Sequence, residues 1–126
     1  MSEEMIKSLT AKESIIMGRG LEVRVLEVIE LLMQTEASLK EGDGRFPQLM
    51  IELEKIFFGL VELAEMNRKL GAEYTNRSEI TQWRDHPEHY SNNRGLYKHE
   101  LRRVRRRLAI IREFLSVLKS KSVVAI

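Results

Sequence analysis

Along most of this chain apolar residues recur at alternating spacings of four and three, the rhythm of helices that bury one stripe. In the last third the stripe reads Tyr97, Leu101, Val104, Leu108, Ile111, Leu115 and Leu118, which predicts a helix over about 94–120. Leu21, Val25, Val28, Leu32 and Leu39 predict another over about 11–40. Leu26, Ile29 and Met33 widen its apolar arc, and Glu22, Glu27, Glu30 and Glu36 supply its wet side. Between the two, Leu49, Leu53, Ile56, Leu60, Leu63 and Leu70 predict a helix over about 46–70, broadened by Met50, Phe57, Val61 and Ala64. An arc that wide calls for more than one neighbour.

Local chemistry sets the boundaries. Thr10-Ala-Lys-Glu13 has the form of a capping box, in which a hydroxyl and a carboxylate satisfy free backbone donors. Gly42-Asp43-Gly44 followed by Pro47 ends one helix and opens the next, and Gly71 closes that one. Gly18-Arg19-Gly20 weakens the first helix, since each glycine costs ~1 kcal/mol relative to alanine; a kink, a break or a close backbone contact is expected there, with room for a short separate helix from Ser2 to Met17. A polar connection over 72–93 leads to the last helix, and within it Ser78 to Arg84 can form one or two turns anchored by Ile80 and Trp83. Strand alternation and internal repeats are absent from the sequence.

The expected fold is all-α, a single domain over 1–126 built as an elongated antiparallel bundle of three long helices, with a short fourth N-terminal helix as a variant. Ile110, Phe114 and Val117 on the last helix, added to the wide arcs of the first two, exceed what one three-helix core needs. The surplus predicts a homo-oligomer, most simply a two-fold dimer that buries the C-terminal half of the last helix. The competing expectation is that residues before Gly18 cover the same surface.

Composition then narrows the classes. With 126 residues, 43% of them hydrophobic, the chain can bury a core. It has no cysteine, which excludes disulfides, thiolate metal sites and cysteine nucleophiles. No run approaches the ~18 apolar residues of a membrane span and the N-terminus lacks a signal-peptide layout, so a cytoplasmic protein without membrane contact is expected. The net charge of +2 hides a polarity: residues 1–72 hold 9 Lys/Arg against 13 Asp/Glu, a net of −4, and residues 73–126 hold 12 against 6, a net of +6.

That positive half concentrates on one helix. Lys98, Arg102, Arg105, Arg106 and Arg112 spread around the side away from the predicted stripe, with Arg103 and Arg107 stacked one turn apart on a flank, so the seven cannot all point the same way. Guanidinium groups this close repel one another unless anions answer them. Nucleic-acid phosphates, acidic residues of this chain or of a partner protein, and plain solvation are the three available answers. The leading expectation is a non-enzymatic, self-associating protein that binds DNA or RNA through the phosphate backbone, with Trp83 and Tyr90 as candidate stacking residues. The alternative is a helical adaptor for an acidic protein surface, its arginines paired to glutamates. Asp85-His86-Pro87-Glu88-His89, with His99 and Glu100 beyond, crowds potential ligands together, but the spacing matches no helical zinc arrangement. No metal or other cofactor is expected. No nucleophile with a base, phosphate-cradling loop or buried carboxylate pair stands out, so an enzyme is not expected either. The apolar end, Ser122 to Ile126, is expected to pack on the bundle.

Overall fold

A computed structural model describes residues 11–67 and 78–120. Their ordered elements are helices, with no strand among the described residues: α1 (Ala11–Glu41), α2 (Phe46–Asn67), α3 (Ser78–Asp85), a 3-10 turn (Asn93–Gly95) and α4 (Lys98–Ser120). The helix α1 runs unbroken through Gly18 and Gly20. Expectations placed on Thr10, the Ser2 segment, Leu70, Gly71 and Ser122 to Ile126 lie outside the described residues.

The turn after α1 follows from its two glycines. Gly42 (φ 66°) and Gly44 (φ 84°) take the left-handed conformation that a Cβ disfavours. Gly42 N–H donates to the Ser38 carbonyl at 2.9 Å, closing the helix end. Asp43 is the clasp: it accepts from the Ser38 hydroxyl, from Arg45 N–H at 3.0 Å and from the Arg45 guanidinium at 3.0 and 2.8 Å. The chain then returns along α1 as α2. Ser38 is fully buried and so depends on this partner.

Four of the five stripe residues predicted for α1 are where the spacing put them: Leu21, Val25, Val28 and Leu32 are buried, and Leu39 packs at the margin. Two of the residues meant to widen the arc behave otherwise. Leu26 and Met33 are 52% and 64% exposed. On α2 the buried line is Phe46, Met50, Leu53, Phe57, Leu60 and Ala64, again spaced four and three, while Leu49, Ile56 and Leu63 are only partly covered. The buried arc is rotated relative to the leucine stripe because the aromatic side of α2 meets α3 and α4. Phe57 stacks on Trp83 at 5.3 Å and meets Phe114 edge-on at 5.4 Å. Each such pair adds about 0.5–1.5 kcal/mol beyond its area burial.

Short as it is, α3 accounts for much of the apolar surplus. Ile80 and Trp83, 1% and 5% exposed, plug the side of the molecule as the sequence suggested. With α2 they help cover Ile110 and Phe114, which are 3% and 0% exposed within one chain. Ile110 and Phe114 therefore need no second subunit to be covered, and Val117 is partly buried beside them. A second correction concerns the start of the last helix. Asn92 caps the 3-10 turn by accepting from Arg94 N–H at 3.0 Å, Leu96 is extended, and α4 begins at Lys98 rather than near Arg94. Tyr97 accepts the first helical bond, from Leu101 N–H at 2.8 Å, and its ring is 71% exposed, so it is a cap and not part of the stripe.

Candidate functional site

All seven predicted basic residues lie on α4, but the fold divides them into three kinds. Arg107 is buried. It occupies the line Val104, Arg107, Ile111, Phe114 and Leu118, so helical periodicity turns it inward and only its partners make that tolerable. Its Nη1 lies 3.2 Å from Glu54 Oε1, and the two side chains are 9% and 11% exposed. The Tyr90 hydroxyl donates to Glu54, Arg107 donates to that same hydroxyl, and Glu88 adds a weaker ion pair at 3.9 Å. The guanidinium also sits over the Trp83 ring at 5.2 Å and the Tyr90 ring at 5.8 Å. Desolvation dominates the carboxylate and raises the Glu54 pKa; the Tyr90 hydrogen bond and the Arg107 charge work against it. Burial and the hydrogen bond to Glu54 push the Tyr90 phenol up as well.

Three arginines are exposed but tethered. Arg103 meets Glu88 at 2.7 Å, Arg106 forks onto Glu79 with its Nε at 2.8 Å, and Arg112 forks onto Glu36 of α1 with its Nε at 2.9 Å. Their side chains keep 60–61% of their surface in solvent. Pairs of this kind contribute about 0–1 kcal/mol each. The remaining three, Lys98, Arg102 and Arg105, are exposed and form no ion pair with the described residues. Spacings of four and three put them on one outward line, which Ala109 and Arg112 continue.

The candidate stacking residues are not free platforms. One side of the Trp83 ring lies against Phe57, and Arg107 sits over the ring as well. The Tyr90 ring meets Phe46 edge-on at 5.9 Å, and its hydroxyl is committed to Glu54. Both fasten the connection to the core, so neither offers an open face for a base. Trp83 Nε1 is buried and makes no hydrogen bond of ordinary geometry among the described residues, but it stands close enough to the Glu54 carboxylate to favour its charged form.

Clefts open on both sides of α4. One, of about 610 Å³, opens between α3 and α4, with Glu79, Glu88, Arg102, Arg103 and Arg106 around it and Trp83 and Ile110 at its base. The other, of about 540 Å³, lies between α4 and the end of α1 beside Arg105, Arg112 and Glu36. The His86 to His89 segment is mostly exposed, Glu88 is engaged by arginine, and no group of three or more His, Asp or Glu among the described residues is arranged to hold a metal. No helix of the described residues is long and apolar enough to cross a membrane.

What the sequence missed was the Glu54–Arg107–Tyr90 cluster. A signal was present: Glu54 and Arg107 carry opposite charges, and each interrupts an otherwise apolar line on its helix. Comparison with known proteins brings no match to a family model, a curated protein or a solved structure.

Proposed function

We propose that the protein is a non-catalytic helical module that binds nucleic acid weakly and without sequence preference, through phosphate contacts to the outward line of α4. The observation that carries the reading is the placement of Lys98, Arg102 and Arg105: exposed, aligned, and without an anionic partner among the described residues. Neighbours three and four apart on a helix are ~5–6 Å apart, a reach that suits successive phosphates of one strand. Arg107 belongs to the core and takes no part. In this reading the chain is an elongated antiparallel bundle. Self-association in this reading uses the exposed apolar residues Val23, Leu26 and Met33 of α1 rather than α4.

The test is fluorescence anisotropy of a labelled 20-base-pair duplex and a labelled single strand across 50–200 mM salt. Each neutralised duplex phosphate contributes about −0.9 to the log–log salt slope, so three free cations predict a slope of about −3. The triple variant Lys98→Gln/Arg102→Gln/Arg105→Gln should lose binding and keep its fold. No binding by the wild type at ~50 mM salt, where polycation contacts are strongest, rejects the reading.

A second reading has its own support. Arg103, Arg106, Arg107 and Arg112 all face glutamates of the same chain, which is the pattern of a helical adaptor whose arginines hold its own fold. It predicts no oligonucleotide binding and a melting temperature that falls when those glutamates are removed.

A further inference from the structure

The cleft between α3 and α4 combines two features. Arg102, Arg103 and Arg106 converge on it from two adjacent ridges of one helix, and two carboxylates, Glu79 and Glu88, reach into the same space from the preceding segment. Each carboxylate already engages a guanidinium: Glu79 accepts two hydrogen bonds from Arg106, and Glu88 accepts one from Arg103 and lies 3.9 Å from Arg107. An arginine fork accepts a carboxylate or a phosphate with nearly the same geometry. Apolar surface of Trp83 and Ile110 lies beneath, where local dielectric is lowered and charge contacts are strengthened.

We infer that this cleft is a phosphodiester seat closed by the protein's own Glu79 and Glu88, which act as anion mimics in competition with the nucleic-acid backbone. The inference rests on the phosphate-binding reading above and deepens it, because it names a second set of contacts and what restrains them. The two closest pairs that need to open, Arg103–Glu88 and Arg106–Glu79, are exposed on the arginine side. Arg103 and Arg106 stay anchored by their helix and α3 stays held by Ile80 and Trp83; releasing Glu88 also gives up its weaker 3.9 Å contact with Arg107, whose closer partner Glu54 is untouched by the exchange. A polyanion displacing both carboxylates would gain two guanidinium contacts beside Arg102. Removing the carboxylate charge should do the same without displacement.

The experiment compares wild type with Glu79→Gln/Glu88→Gln on the duplex, using Glu52→Gln/Glu62→Gln as a control. Glu52 and Glu62 are exposed on α2, and the control changes net charge equally. The cleft variant should bind about tenfold more tightly at ~50 mM salt, with a slope steepened from about −3 to about −5, and the control should move far less. Adding Arg103→Gln/Arg106→Gln to the cleft variant should return the slope to the wild-type value. Should the double variant fail to fold, Glu79→Gln alone, which leaves the Glu88 contacts in place, should give about half the change in slope. If cleft and control variants behave alike while wild type binds with a slope near −3, the inference fails and the outward line stands. A wild-type slope already near −5 also overturns it, since the arginines would not then be masked. Absence of binding by both wild type and cleft variant removes the inference together with the function it rests on. Preference for poly-glutamate over the duplex overturns the assignment to phosphodiesters.

Discussion

Replacing Arg107 by alanine tests the division of the α4 arginines most sharply, because Arg106 is its sequence neighbour and differs chiefly in burial. Glu54 and Arg107 are 11% and 9% exposed, so little solvent screens either charge once the other is removed. Breaking a buried pair by deleting one partner costs about 3–5 kcal/mol. Unfolding entropy of about 2.1 cal/mol/K per residue gives ~0.26 kcal/mol/K for this chain, so Arg107→Ala should lower the melting temperature by about 11–19 °C. Arg106→Ala removes an exposed pair worth about 0–1 kcal/mol and should lower it by no more than ~4 °C. Replacing both members of the buried pair, Glu54→Leu with Arg107→Met, should recover most of the loss, because no uncompensated charge remains. The assay is calorimetry of the four proteins, backed by urea unfolding. Equal shifts for Arg106→Ala and Arg107→Ala, or a double variant as unstable as the single one, would refute the reasoning.

Four further outcomes follow from the same geometry. Hydrogen bonds from Ser38 and Arg45 hold the Asp43 carboxyl down to about 2 from 3.8, so its stabilising contribution is complete above the unfolded value and is lost as pH falls between the two; Asp43→Asn should flatten acid unfolding in that window. Glu54 is shifted the other way, its pKa raised by burial, so its contribution is lost as pH rises through the folded pKa, above the ordinary 4.5. The stability of Glu54→Leu/Arg107→Met relative to wild type should accordingly increase with pH above that value. Trp83→Ala should cost about 3–5 kcal/mol, whereas Trp83→Phe keeps a ring against Phe57, and chemical unfolding should find it much closer to wild type. Gly44→Ala should lose about 1–2 kcal/mol from its positive φ alone, since an added Cβ would meet only Asn92 Nδ2 at an ordinary 3.7 Å.

The sequence by itself determined the helices and the turn between the first two. Fours and threes of apolar residues, with glycines where a left-handed backbone is required, place α1, α2, α3 and most of α4 within a few residues of where they lie, because these are properties of neighbours along the chain. It also determined that the basic residues gather on one helix. Tertiary structure alone decided which of those charges face water. Periodicity kept seven cations off the predicted stripe, with Arg103 and Arg107 on a flank, yet Arg107 shares a line with Ile111 and Phe114 and could only be turned inward once Glu54, 53 positions away, was brought beside it. The pairing of Arg103, Arg106 and Arg112 with glutamates 15, 27 and 76 positions distant is likewise invisible to any local pattern. So is the covering of Ile110 and Phe114. The surplus of apolar residues on α4 looked like an interface because the short helix that helps cover it had too few residues to be weighed as a layer of the core. Spacing fixes the face on which a side chain stands; which partner meets that face is a matter of long-range packing, and the partner determines whether a charge is structural or available.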